Sequence, residues 1–228
     1  AYVDLVCGEQ TVRLTVTQTG LSDDMDFSAL FDETFAQKLQ QRDIVADAEK
    51  ITMQEMQSMA IMTELDISGT YDNPGSLTSL RGIEYFEALT KLNCIYNSLP
   101  TLDISQNTKL TYLNCDRNSL TELDVSLNTE LTELWCQSNS LPKLYVSKNT
   151  KLTELVCPGN QLTELDVSKN TKLTKLSCGF NQLKELDVSL NTKLTQLICN
   201  YNQLKELNVR LNTELTYLNC DLNLLTEL

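Results

Sequence analysis

Apolar positions repeat along most of this chain with one fixed spacing. Cys94, Cys115, Cys136, Cys157, Cys178, Cys199 and Cys220 each follow the last by 21 residues. Around every one of them the order is LxxLxCxxNxL. Leu173, Leu176, Cys178, Asn181 and Leu183 make one copy, and Leu131, Leu134, Cys136, Asn139 and Leu141 another. Self-similarity at a period of roughly 20–50 residues is the signature of a solenoid, whose units bury their apolar faces against one another. Within the copy, Leu176 and Cys178 alternate with Ser177, the pattern of an extended strand that sends successive side chains to opposite faces. Leu176 and Cys178 are expected inside, Ser177 outside.

Stacking the copies in register places each inward residue about 4.8 Å from its counterpart in the next coil. The expected core is therefore columns of leucine and one column of cysteine. Asn97, Asn118, Asn139, Asn160, Asn181, Asn202 and Asn223 form a further column, with amides placed to bond backbone groups at the turn. The other part of each period, as in Leu165, Val167 and Asn170, repeats the same logic. It adds a second ladder of Asn107, Asn128, Asn149, Asn170, Asn191 and Asn212. Half-periods of 10 and 11 residues leave no room for a helix on the return side. The expected fold is an α/β leucine-rich-repeat solenoid. It would be right-handed and weakly curved, with a parallel sheet on the concave face and extended or 3-10 segments on the convex side.

Three segments follow from the pattern. Residues 62–228 are the repeats. Residues 21–61 read as a helical N-terminal cap. Phe27, Leu30, Phe31, Phe35 and Leu39 have helical spacing, and Thr52 and Glu55 have capping-box spacing ahead of a second helix. A cap covers the apolar end that the first coil would otherwise expose. In residues 1–20, Val12, Leu14 and Val16 alternate with Arg13, Thr15 and Thr17, which suits a strand. Tyr2 to Val6 would pair with it across Cys7–Gln10. Either a hairpin beside the cap or the remnant of a preceding domain fits. The repeats end at Leu228 without a cap, so continuation of the chain or an end-to-end contact is expected there.

Composition narrows the chemistry. The chain is 41% hydrophobic, enough for a packed core. Its net charge is −13, with −7 over residues 1–62 and −6 over residues 63–228. Neither part offers the basic patch that nucleic acid or an anionic membrane requires. No apolar run is long enough to insert in a membrane, and residues 1–4 carry no signal-peptide features. Histidine is absent, which removes the usual general base and the commonest metal ligand. No catalytic residue, metal site or cofactor is expected. Cysteines stacked in register sit farther apart than the roughly 3.8 Å between Cβ atoms that a disulfide needs, and single file gives no tetrahedral metal site. They are expected to be reduced, buried thiols. Cys7 lies outside the ladder.

Leu77, Leu80, Gly82, Ile83, Tyr85, Leu89 and Leu92 resemble the SLxGIxYLxxLTxL run of internalin-type bacterial surface proteins. The 21-residue cysteine ladder resembles the cysteine-ladder members of that group, over roughly residues 25–228. The resemblance implies an extracellular or cell-surface location and a cap related to half of an EF-hand. In that frame Glu55 takes the last loop position and Ile44, Ala46 and Ala48 take the early ligand positions, where they would not hold calcium. The cap is read without metal.

Outward positions are free of core duty, and here they vary from coil to coil. One column runs Lys91, Tyr112, Glu133, Glu154, Lys175, Gln196, Tyr217; another contains Asn93, Asn114, Trp135, Val156, Ser177, Ile198, Asn219. Two residues past each cysteine stand Tyr96, Arg117, Ser138, Gly159, Phe180, Tyr201 and Leu222. Trp135, Val156, Phe180, Ile198 and Tyr201 are expected to form an apolar strip flanked by Tyr112, Arg117 and Tyr217. Aromatic and arginine content of this kind marks binding hot spots. The expected function is a non-catalytic module that binds a protein ligand, such as a host surface protein, in adhesion or interaction. A glycan-binding module and a structural spacer are the alternatives. Glu133 and Glu154 would stand one coil apart, but an open sheet gives no enclosed pocket in which such a pair could act.

Overall fold

The computed structural model describes residues 2–7, 10–15 and 25–226. Strand β1 (Tyr2–Cys7) pairs antiparallel with β2 (Gln10–Thr15), Tyr2 facing Thr15 and Cys7 facing Gln10. The pairing agrees with the alternation of Val12 and Leu14 with Arg13 and Thr15. Val16 and Thr17, also expected in the strand, lie outside the described residues.

The cap follows. A 3-10 turn over Ser28–Leu30 leads to α1 (Glu33–Gln41). The helix begins later than the apolar spacing from Phe27 suggested, because Asp32 caps it by accepting from the N–H groups of Thr34 and Phe35. Helix α2 (Met53–Ala60) opens on the expected capping box of Thr52 and Glu55. The Glu55 carboxylate is spent within the cap: Oε1 accepts from Ala46 N at 2.6 Å and Oε2 from Thr52 N at 2.7 Å. Phe35, Leu39, Ile51 and Met59 are fully buried. Ring contacts of Phe31 with Tyr85 and of Phe35 with Phe86 join the cap to the first coil. Gly82 sits there at φ +109, and a Cβ would lie 2.2 Å from the Phe31 ring, so only glycine fits.

Every coil then contributes a three-residue strand: β3 (Glu64–Asp66), β4 (Lys91–Asn93), β5 (Tyr112–Asn114), β6 (Glu133–Trp135), β7 (Glu154–Val156), β8 (Lys175–Ser177), β9 (Gln196–Ile198) and β10 (Tyr217–Asn219). They form one parallel sheet in chain order. From β4 onward the register advances one period per strand, so Leu113 pairs with Leu134 and Leu134 with Leu155. The return side is extended, with turns closed by bonds such as Asn149 N to Val146 O at 3.0 Å and Leu152 N to Asn149 O at 3.1 Å. Among the described residues, the one 3-10 helix within the coils is Ile83–Tyr85, in the first coil.

The two asparagine ladders bond differently. In the first, Asn160 donates to Cys136 O in the coil before and to Cys157 O in its own, and its Oδ1 accepts from Leu141 N. In the second, Asn170 donates to Val146 O and to Asn149 O, while its Oδ1 finds no partner. A threonine ladder, not anticipated from the pattern, runs beside the sheet. Thr153 Oγ1 donates to Thr132 O and Thr174 Oγ1 to Thr153 O, each at 3.1 Å. Side chains thus cross-link successive coils at three places, where irregular backbone would otherwise leave buried polar groups unpaired.

Candidate binding surface

The strand face is built by the register. Tyr112, Glu133, Glu154 and Lys175 are successive neighbours across the sheet, and so are Asn114, Trp135, Val156 and Ser177. The rings of Tyr112 and Trp135 lie 6.3 Å apart at 51°. Lys175 reaches over β7: its Nζ is 5.3 Å from the centre of the Trp135 ring and 3.3 Å from Glu154 Oε2. The Trp135 indole nitrogen is shut off from solvent and makes no hydrogen bond. Val156, between Trp135 and Ser177 in the register, is only 8% exposed. It therefore offers no open area, contrary to its expected place in an exposed strip. Ile198 is half-buried and Tyr217 is exposed.

Arg117, Phe180 and Tyr201 belong to another line. The residue two past each cysteine adopts a left-handed backbone in every coil, at φ 55 for Tyr96, 52 for Arg117, 53 for Ser138, Phe180 and Tyr201, 55 for Leu222 and 67 for Gly159. Inter-coil bonds hold it there, such as Phe180 N to Asn200 O at 2.8 Å and Tyr201 N to Asp221 O at 2.9 Å. The turn brings the ladder asparagine back inside one residue later. A side chain with a Cβ costs about 1–2 kcal/mol in this conformation, and glycine would relieve it. Only Gly159 does so. Of the other six coils, one carries serine and five carry large groups, four of which meet in pairs between coils. Phe180 and Tyr201 stack at 4.2 Å and 15°, both well exposed. The Arg117 guanidinium lies 5.1 Å over Tyr96, whose ring meets Tyr71 edge-on. Among the described residues the ring contacts of the outer surface thus fall into two groups, one on the strands and one on this left-handed column. The expected single strip is in fact two lines. Gly159 was the one sequence signal for the second.

Between the two lines sits Asp116, a buried carboxylate that the pattern did not single out. Burial pushes its carboxyl up to about 6, although the Gln137 N–H, donated at 2.6 Å, and the Arg117 charge pull the other way. Burial also raises the Tyr112 hydroxyl above its ordinary value.

Below the surface, the ladder cysteines from Cys94 to Cys199 are free and buried, and Cys220 is half-buried. Burial pushes the thiols of Cys94, Cys157 and Cys199 up to about 12. Thiolate, the reactive form, is thereby suppressed, and the sulfurs serve as packing. Cys94 and Cys115 each donate weakly to a strand carbonyl at 3.5 Å.

No family model and no curated protein sequence matches the chain. Solved structures do. The functional domain of InlJ from Listeria monocytogenes, which includes a cysteine ladder, is 40% identical with a TM-score of 0.68, over 90% of this chain and 49% of that one. The chain thus spans about half the length of that relative. An internalin C2 from Listeria monocytogenes is 19% identical with a TM-score of 0.75, over 92% of both chains, a likeness of fold alone. A leucine-rich-repeat protein of Leptospira interrogans is 27% identical with a TM-score of 0.54, over 64% of this chain and 46% of that one.

Proposed function

Because the chain is an internalin-like leucine-rich-repeat solenoid of the cysteine-ladder, 21-residue-repeat type, we propose that it is a non-catalytic module that binds a protein ligand through its outward strand face and the adjoining left-handed column. It acts outside the cell or at its surface, where the ligand would be a host surface protein. The observation that carries this reading is the left-handed column. Six of its seven positions hold a side chain that the backbone penalises, and strain of this kind collects at functional sites. Phe180 and Tyr201 supply rigid aromatic area at that position, which suits an interface anchor.

A glycan reading has the exposed rings in its favour, but the amides beside them are engaged internally. Asn93 Nδ2 donates to Asp66 Oδ2 and Asn114 Oδ1 accepts from Asp116 N. Catalysis by Glu133 and Glu154 is disfavoured, because Lys175 neutralises Glu154 on an open face.

The test is capture of host surface proteins by this protein and by a Trp135→Ala/Phe180→Ala/Tyr201→Ala variant with a matching thermal melt. A partner held by the wild type and lost by the variant supports the reading. No partner for a folded wild type would move it to a glycan module or a spacer.

A further inference from the structure

We propose that the centre of the strand face is a recognition site for a lysine or arginine side chain of a protein partner, and that Lys175 occupies it in the free molecule. This names the chemistry of the partner and rests on the protein-binding reading above. Three observations converge on Trp135.

The first is the position of Lys175. Its ammonium sits within cation–π range of the indole, about 6 Å or less, and beside the Glu154 carboxylate. The surface therefore already holds an alkylammonium between an aromatic face and a carboxylate, the two groups that recognise such an ion. The second is reach. Trp135 is on β6 and Lys175 on β8, so the side chain spans the whole of β7 to arrive. A long, half-buried side chain fixed in this way gives up rotamer freedom, and that freedom is recovered when a partner's cation takes its place.

The third is charge. Glu133 and Glu154 stand directly opposite each other on adjacent strands, where like charges repel. Lys175 bridges to Glu154 alone; among the described residues no cation lies within 4.0 Å of Glu133. Lys175 thus answers one of the two carboxylates, and Glu133 keeps only the longer-range pull of Lys91, in a chain of net charge −13. A second cation entering beside Trp135 and Tyr112 would balance the pair.

Trp135 is the only tryptophan, so its fluorescence reports this site directly. The experiment titrates the wild type and a Lys175→Ala variant, both verified by thermal melt, with N-acetyl-arginine amide and N-acetyl-lysine amide. The uncharged N-acetyl-citrulline amide is the shape control, and tetramethylammonium tests for a small quaternary ligand. The expected result is a saturable change with both charged amides and none with citrulline amide. Binding should be about two- to fivefold tighter in Lys175→Ala, where the internal competitor is gone. Adding Glu133→Gln and Glu154→Gln should abolish the response. An equal response to citrulline amide, no saturable response in Lys175→Ala, or tighter binding of tetramethylammonium than of either amide would overturn the proposal. If a captured protein depends on Phe180 and Tyr201 but not on Trp135, the cation site is rejected while the binding module stands.

Discussion

Two columns, two residues apart in the chain, recur with the same period and on the same backbone. Yet they have opposite character. The cysteine column is uniform, because each thiol packs against its copies in a space with no slack. The column two residues later holds tyrosine, arginine, serine, glycine, phenylalanine, tyrosine and leucine, although its backbone favours one small residue at every step. Packing explains the first column. It does not explain the second, whose side chains face outward and work against local preference. A repeat protein thus separates the residues that build it from the residues it presents, and the left-handed position marks the boundary.

The separation can be broken from the inside. Asn160→Ala would strip a uniform column of one amide: Cys136 O and Cys157 O would each lose one of two donors and keep Asn139 and Asn181, while Leu141 N would be left without its partner. The orphaned N–H costs about 1–3 kcal/mol, and each of the two lost donor bonds about 0.5–1.5 kcal/mol. Chemical denaturation should show a loss of about 2–4 kcal/mol. Asn170→Ala removes two bonds and an acceptor that is already unpaired, so it should cost visibly less.

Asp116 lies in sequence between the columns, and there the effect depends on pH. Its carboxyl is raised from the ordinary 3.8 to about 6, so the fold disfavours the ionised form. The cost is present above pH ~6 and is relieved as pH falls toward 4, so acidification stabilises the wild type through this group. Asp116→Asn keeps an acceptor for the Gln137 N–H. It should raise stability at pH 7.5 by on the order of 2 kcal/mol, with the advantage vanishing near pH 4. Thermal melts across that range measure it.

In the varied column, Phe180→Gly removes backbone strain and also a ring stack worth about 0.5–1.5 kcal/mol. Stability should change by less than about 1 kcal/mol, while capture of the partner falls sharply. A large loss of stability would mean that the aromatic serves the fold. The smallest effect belongs to exposed charges. Lys151 pairs with Glu130 at 2.5 Å, both about half exposed, and Lys151→Ala should cost less than about 0.5 kcal/mol.

The period, the inward columns, the first asparagine ladder and the capping box were legible because packing and hydrogen bonding demand particular residues there. The threonine ladder was not, since Thr132 and its copies also read simply as strand formers. Nor was the left-handed column, because six of its seven positions lack the glycine or asparagine that announces such a turn. Val156 was misplaced for a third reason. It stands between Trp135 and Ser177 on the neighbouring strands and is only 8% exposed, and no alternation along a single strand contains that information. The outward residues themselves were visible, but their division into two lines depends on the turn that follows each strand.

On the proposed reading, the outward strand face and its left-handed neighbour form the binding surface and the return side takes no part in it. Hydroxyl-radical footprinting of the module with and without its captured partner tests it most directly. Trp135, Phe180 and Tyr201 should lose reactivity in the complex, while the exposed return-side residues Leu127, Tyr145, Leu190 and Leu211 keep theirs. Protection of the return-side residues with Trp135, Phe180 and Tyr201 unchanged would contradict it.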